Sequence, residues 1–254
     1  MFFMKTLVSG SSSGLGKYIF EQFSGTAWTR NITGEAKKKL KDEGVDVIIH
    51  CAFNSNQTVD SNNLYDYLAD NVLLTEELVN ISHNKFILIS SVDVYPKDKK
   101  FHKENEIIDV NKVNGMYGVT KLMSEAQVMQ QSSNYLILRC SALLGKYSRK
   151  NSLIKIMEGT NELSLSGDSS FNYILHSDVL DFINHAIKNN LSGIYNVVTS
   201  ENIILKEVAD ILKKQVNFGK YKYNVGNIDN SKIISIYPEF KKTSKEVILQ
   251  FLRK

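Results

Sequence analysis

The fold class this chain predicts is α/β, a doubly wound parallel sheet, and three features of the sequence predict it. Apolar runs of strand length alternate with amphipathic stretches of helix length from Lys5 to about Leu144. The runs are rich in Val, Ile and Leu without clean polar alternation, as expected of parallel strands covered on both faces. A Gly/Ser turn, Ser9-Gly10-Ser11-Ser12-Ser13-Gly14-Leu15-Gly16, then stands between the first strand and the first helix.

The elements follow in order. Lys5 to Ser9 reads as a strand, and Leu15 to Phe23 as the helix after the glycine turn. A short strand near Ala27 to Arg30, a charged helix Gly34 to Glu43 and a strand Val45 to Ala52 come next. A long helix is expected from Leu64 to His83, then a strand Phe86 to Ser91, a helix Tyr117 to Gln131 and a strand Tyr135 to Leu144. Beyond Gly145 the rhythm changes to short strands (Leu163 to Leu165, Tyr173 to Leu175), a helix Val179 to Asn189 and a strand Ile194 to Val198. Helices Leu205 to Lys214 and Ser244 to Leu252 complete the chain. With only Pro96 and Pro238 and no Gly-rich linker, two separate domains are not expected. The division predicted is a nucleotide-binding core over residues 1–148, completed by 177–198, with a small lobe from 149–176 and 199–254.

Composition narrows the function classes. The 254 residues carry 31 Lys+Arg against 27 Asp+Glu, a net +4 too mild for a nucleic-acid-binding stripe. No run approaches the length of a membrane span, and the N-terminal Met1-Phe2-Phe3-Met4-Lys5 is too short and interrupted for a leader. Cys51 and Cys140 do not make a disulfide framework and read as buried, reduced thiols, so a cytoplasmic location is expected. No metal site is expected.

Glycines in the first turn permit a sharp reversal and close approach of backbone N–H groups to a diphosphate at the helix N-terminus. Gly10 and Gly16 are six apart and Lys17 is followed by Tyr18, which excludes the phosphate loop of nucleoside triphosphatases. In a dinucleotide-binding sheet the end of the second strand selects the cofactor: an acid holds the 2′-hydroxyl of NAD, a cation the 2′-phosphate of NADP. Thr29-Arg30-Asn31 falls there with no acid in reach, so Arg30 favours NADP, with NAD still possible. The alternative is a solvated surface arginine.

Met116-Tyr117-Gly118-Val119-Thr120-Lys121 carries the strongest chemical signal. Four apart on a helix, Tyr117 and Lys121 share a face, and a nearby ammonium would lower the phenol pKa into a useful range. Ser91 ends a strand at the sheet edge where ligands bind, 26 residues before Tyr117, and offers a hydroxyl to a substrate oxygen.

Together these features resemble the short-chain dehydrogenase/reductase superfamily, in particular its extended branch acting on nucleotide sugars. The resemblance runs from Lys5 to about Val198 and includes Ile49-His50-Cys51-Ala52, Asn71-Val72, Ile89-Ser90-Ser91, Tyr117 with Lys121 and Glu125, Leu138-Arg139 and His176-Ser177-Asp178. The glycine spacing is that of the shorter-chain branch, a departure from the extended pattern. The resemblance implies a Rossmann core, Tyr117 as catalytic acid/base, Lys121 as its tuner and ribose ligand, and Ser91 as partner of the substrate oxygen. It further implies a cofactor held by Gly10, Ser12, Ser13, Gly14, Leu15, Gly16, Arg30, Cys51, Ala52, Asn71, Lys121 and Cys140. Asn31-Ile32-Thr33 leads straight into a helix, so a third strand is vestigial or missing, as in the 4-keto-nucleotide-sugar reductases.

Asp93, two residues after Ser91, would share its face in extended geometry and occupies a position that carries a second acid/base in similar enzymes. The alternative is a capping Asp at a strand end. Val92-Asp93 lacks the Asp–Glu pair of 4,6-dehydratases, which disfavours that reaction. The arginine expected before His176 to hold a substrate diphosphate is absent from Ser170-Phe171-Asn172-Tyr173, leaving Arg149 or Lys150 as substitutes. The function expected is reduction of a keto group on a nucleotide-activated sugar with NADP(H), in a possible homodimer. An epimerase that retains its cofactor is the first alternative, and a non-catalytic NADP-sensing protein the second.

Overall fold

The computed structural model describes residues 4–56 and 58–253; residues 1–3, part of the stretch weighed as a leader, lie outside the described residues. The first elements follow the expected rhythm: β1 (Thr6–Ser9), α1 (Gly14–Phe23), β2 (Thr26–Trp28), α2 (Gly34–Glu43) and β3 (Val45–His50). Thr33 caps α2 through the Ala36 N–H at 3.2 Å. Because β2 stops at Trp28, Arg30 lies in the turn beyond the strand, not at its end.

The single helix expected from Leu64 to His83 is instead α3 (Leu64–Leu68), a π-helical turn over Ala69–Leu73, and α4 (Leu74–Val79). Two hydroxyls converge on the Asn71 carbonyl within that widened turn, Thr75 at 3.2 Å and Ser124 at 2.7 Å. His83 belongs to the next strand, β4 (His83–Ser91), where it pairs with Val45 and its ring meets the Ile81 carbonyl at 2.6 Å. A 3₁₀ turn over Val92–Val94, β5 (Phe101–His102), α5 (Gly115–Gln131), β6 (Tyr135–Cys140) and β7 (Ala142–Leu144) follow. The remaining elements are α6 (Ser152–Met157), β8 (Glu162–Leu165), β9 (Ser170–Phe171), β10 (Tyr173–Leu175), α7 (His176–Lys188) and β11 (Gly193–Val197). After them come β12 (Ile203–Ile204), α8 (Leu205–Leu212), β13 (Asn217–Tyr221), β14 (Asn227–Ile228), α9 (Ser231–Ile236) and α10 (Ser244–Leu252).

Six parallel strands in the order β11-β6-β4-β3-β1-β2 form the central sheet. Successive residues point to opposite faces, and the buried core divides accordingly. Val8, Ile49, Ile87 and Leu138 pack with α1 and α7 on one face, whereas Leu7, Ile48, Phe86 and Ile137 pack with α4 and α5 on the other. Both faces being covered, each strand reads as an unbroken apolar run. β2 flanks β1 on one side and α2 carries the chain across to β3 on the other. The carboxyl ends of β1 and β3 therefore border a crevice, the place where open α/β sheets bind ligands. Among the described residues no strand lies beyond β2, in line with the abbreviated Asn31–Thr33 connection.

The run expected as one strand from Tyr135 to Leu144 divides between two sheets. β6 ends at Cys140, Ser141 donates its N–H to the Val197 carbonyl at 3.2 Å, and β7 pairs with β10 instead. That pair packs in a separate apolar cluster with Leu153, Leu205 and Val247, so β7, within the 1–148 stretch read as core, sides with the later segments. β13 pairs with β8 and β14 with β5, which ties the C-terminal segment to the loop after β4. No helix among the described residues is long and apolar enough to cross a membrane.

Candidate active site

The glycine turn is packed against the end of β3. Gly10 has φ +73°, and a Cβ there would sit 2.6 Å from the Ala52 nitrogen; a Cβ on Gly16 would run into the Gly10 carbonyl. Only glycine lets α1 start this close to the sheet edge. The Ser9 hydroxyl holds the opposite rim, accepting from the Cys51 and Ala52 N–H groups, each at 3.2 Å. It also meets His50 Nδ1 at 2.6 Å, and His50 Nε2 meets the Thr75 hydroxyl at 3.0 Å. Burial, aided by the charge of Lys121, draws the His50 pKa down to about 3, so the ring is neutral with one donor and one acceptor nitrogen. Sequence reasoning assigned no role to this chain of Ser9, His50, Thr75 and Ser124, because nothing local announces it.

Tyr117 and Lys121 stand on successive turns of α5, facing Ser91 at the end of β4. Lys121 is buried, donating to the Ile89 carbonyl at 2.6 Å with its ammonium 3.6 Å from the centre of the Phe53 ring. Burial lowers its pKa to about 7, against the opposing pull of Cys51, Cys140 and Glu125. The phenol of Tyr117 is held above its ordinary range, first by burial and then by the Asp93 carboxylate, while a hydrogen bond with Ser91 works the other way. This corrects the expectation that Lys121 lowers it: the ammonium turns to Ile89 and Phe53 and lies 6.0 Å from the Tyr117 ring centre. Cys51 and Cys140 both line the cleft, and burial raises each thiol to about 12, so neither is a nucleophile near neutrality.

Asp93 sits on a 3₁₀ turn and not on the extended strand expected; Ser91 caps that turn by accepting from the Asp93 N–H at 3.1 Å. The Asp93 carboxylate pairs with Lys97 at 2.7 Å and accepts from the Tyr223 hydroxyl at 3.1 Å. Tyr223, from the segment before β14, stacks on Phe171 with ring centres 4.9 Å apart and had no signal in the sequence.

Beneath these residues α5 is pinned to β6. Glu125, one turn after Lys121, accepts from Arg139 Nη2 at 2.7 Å and Nε at 3.1 Å, and from the Ser90 hydroxyl. Arg139 Nη1 donates to the Tyr95 hydroxyl at 2.7 Å, which donates to Asn196 at 2.8 Å.

The cleft above has a volume of about 950 Å³. Of the residues singled out in the sequence, Ser13, Gly14, Leu15, Gly16, Cys51, Ser91, Asp93, Tyr117, Lys121 and Cys140 line it. Gly10, Ser12, Ala52, Arg30 and Asn71 are not among the lining residues. Gly10 and Ala52 shape the rim from behind. Asn71 is a clamp, its side chain accepting from the Asn54 N–H at 2.7 Å and donating to the Asn54 carbonyl at 2.9 Å. Arg30 borders a smaller hollow of about 360 Å³ that shares Asn56 with the cleft. An acid does reach it there: Asp70, from the π turn, pairs with Arg30 at 2.8 Å, which corrects the reading that none is nearby. Of the two substitute cations, Lys150 is engaged by Glu158 at 3.0 Å, and Arg149 lies toward the glycine turn.

Lys97, Lys121, Arg149, Lys150 and Lys155 line the cleft, against Asp93 alone among the described acids. A concave surface so biased raises the local concentration of anions. The open α1 N-terminus, the glycine packing and this charge fit a dinucleotide diphosphate.

Comparison with known proteins agrees with this geometry. The chain superposes on a dTDP-4-dehydrorhamnose reductase from Bacillus anthracis str. Ames in complex with NADP, with a TM-score of 0.82 and 18% identity over 98% of each chain. A UDP-glucuronic acid 4-epimerase from Bacillus cereus, in complex with UDP-glucuronic acid and NAD, gives 0.79 and 18% over 98% of each chain. A dTDP-4-dehydrorhamnose reductase from Clostridium acetobutylicum gives 0.79 and 16% over 98% of this chain and 99% of that one. Among curated proteins none matches. The NAD dependent epimerase/dehydratase family model matches residues 10–197, from the glycine turn to the last strand of the sheet, and the chain belongs to that family.

Proposed function

We propose that the protein reduces a keto group on a nucleotide-activated sugar, using NADP(H). The observation that carries this reading is the meeting of Ser91, Tyr117 and Lys121 at the edge of a cationic cleft beside the glycine turn. The bound dinucleotide would supply the hydride. Tyr117 keeps its proton near neutrality because burial and Asp93 raise its pKa, which suits a group that donates to a carbonyl oxygen becoming an alcohol. Ser91 orients that oxygen beside the phenol. Lys121, with a pKa near 7, is positioned to take a ribose hydroxyl. The likeness to a reductase in complex with NADP and the placement of Arg30 past β2 support NADP.

A cofactor-retaining epimerase is the second reading, supported by the pairing of Arg30 with Asp70, which sets an acid beside the arginine read as selecting NADP. Retention of Tyr117 and Lys121 argues against a non-catalytic sensor. Absorbance at 340 nm with a panel of 4-keto and 4-hydroxy nucleotide sugars separates the readings. Stoichiometric oxidation of NADPH by a keto sugar is expected; sugar inversion without net NADPH consumption would overturn the reductase in favour of the epimerase.

A further inference from the structure

We infer that Arg149 clamps the diphosphate of the cofactor from the lobe side of the cleft, an assignment that rests on the dinucleotide reading above. The segment after β7 turns back onto α1 and is anchored there. The Tyr147 hydroxyl donates to Glu21 at 2.6 Å, and the Lys17 ammonium lies 4.3 Å from the Tyr147 ring centre. The Ser148 hydroxyl accepts from the Gly145 N–H at 2.6 Å and tightens the turn. Two residues past the Tyr147 anchor, Arg149 is laid across the glycine turn: a Cβ added to Gly14 would be 3.6 Å from Arg149 Nε. Its Nη1 donates to the Ser55 hydroxyl at 3.4 Å, in the loop after β3. The side chain therefore spans from the start of α1 to the opposite wall of the crevice.

Charge gives this placement its meaning. Lys146 and Lys150 are paired with Glu21 and Glu158, whereas Arg149 makes no ion pair among the described residues. It lies against the first turn of α1, where Ser13 supplies no side-chain cap and the helix end carries partial positive charge. A guanidinium beside that charge is unfavourable until an anion lies between them. A diphosphate suits both, accepting from backbone N–H groups on one side and from a two-pronged guanidinium on the other. The reach of Arg149 extends to the reacting groups as well, its charge opposing the upward shift of Tyr117 and adding slightly to the lowering of Lys121 by burial. Neither Gly14 nor Ser55 would require a cation in order to fold.

Isothermal titration of the wild type, Arg149→Ala and Arg149→Lys tests the assignment. The probes are NADPH or NADH (whichever the wild type binds more tightly), adenosine 2′-monophosphate, UDP and dTDP. Arg149→Ala should weaken the dinucleotide about ten- to hundred-fold. Arg149→Lys should recover part of that loss, and adenosine 2′-monophosphate, which carries neither phosphate of the diphosphate, should bind as in the wild type. Unchanged dinucleotide affinity in Arg149→Ala overturns the clamp. So does a loss confined to UDP or dTDP, which would place the residue on the substrate. A wild type that binds neither dinucleotide removes the cofactor reading itself, and the clamp with it.

Discussion

Replacing Glu125 by glutamine leaves the Arg139 guanidinium buried without its counter-charge, at 3% exposure between α5 and β6. The wild-type carboxylate takes Arg139 Nε and Nη2 together with the Ser90 hydroxyl. Glutamine keeps the shape but offers one oxygen, and its amide N–H groups face a group that can only donate. Breaking one partner of such a pair costs about 3 to 5 kcal/mol, a fifth or more of the roughly 5 to 15 kcal/mol that holds a typical domain folded. Guanidinium unfolding followed by circular dichroism reads this directly as a shifted midpoint. The double variant Glu125→Met with Arg139→Met removes both charges, and should be more stable than Glu125→Gln because no unpaired charge stays behind. Tyr95 keeps its bond to Asn196 in that variant. A cost below about 1 kcal/mol for Glu125→Gln, or strictly additive single effects, would refute the idea that this pair fixes the height of α5 over the sheet.

Three further outcomes are expected. Tyr117→Phe should lower turnover about a hundredfold or more while leaving dinucleotide affinity nearly unchanged, since the phenol proton and not the ring carries the chemistry; steady-state rates beside titration measure both. Asp70→Asn frees Arg30 from an exposed pair worth at most about 1 kcal/mol and should raise the NADPH-to-NADH affinity ratio up to about fivefold; a fall in that ratio would show that Asp70 does not compete for the arginine. Stability should drop on acidification because His50 titrates at about 3 when folded and near 6.5 when unfolded. In that window the unfolded state binds the extra proton, so stability rises with pH, with about 2 kcal/mol lost between pH 7 and pH 5. A His50→Gln variant should show a shallower decline over that range in urea melts, whatever its stability at pH 7.

How much was legible in the sequence depends on how far apart the partners lie. The α/β rhythm, the glycine turn and the Tyr117–Lys121 spacing are local patterns, and each recurs where the sequence places it. Membership of the family followed from the same motifs. Asp70 meets Arg30 across 40 residues and Tyr223 meets Asp93 across 130, and no periodicity encodes such pairs. The π turn escaped because its residues keep helical spacing, and only the hydroxyls of Thr75 and Ser124 mark the Asn71 carbonyl as different. The split at Ser141 escaped because β6 and β7 are equally apolar; the choice between sheets is made by the Val197 carbonyl and by Asn172. The direction of the Tyr117 shift was misjudged for a related reason. Spacing shows that two side chains share a face, but not that a buried backbone carbonyl takes the lysine first.

The single-residue joint at Ser141 has a practical side for anyone rebuilding this protein. Cys140 ends a strand of the six-stranded sheet and Ala142 begins a strand paired with β10, so the chain has no slack between the two sheets at a point that also lines the cleft. A graft that exchanged the following segments there would strain the cleft wall at its first peptide. The segment from Thr199 to Asn202, between β11 and β12, is longer, but its Thr199 backbone is tied to Asn172 in both directions. A chimera would therefore have to carry Ser141, Asn172 and Thr199 together from one parent, a unit scattered along the chain yet contiguous in space.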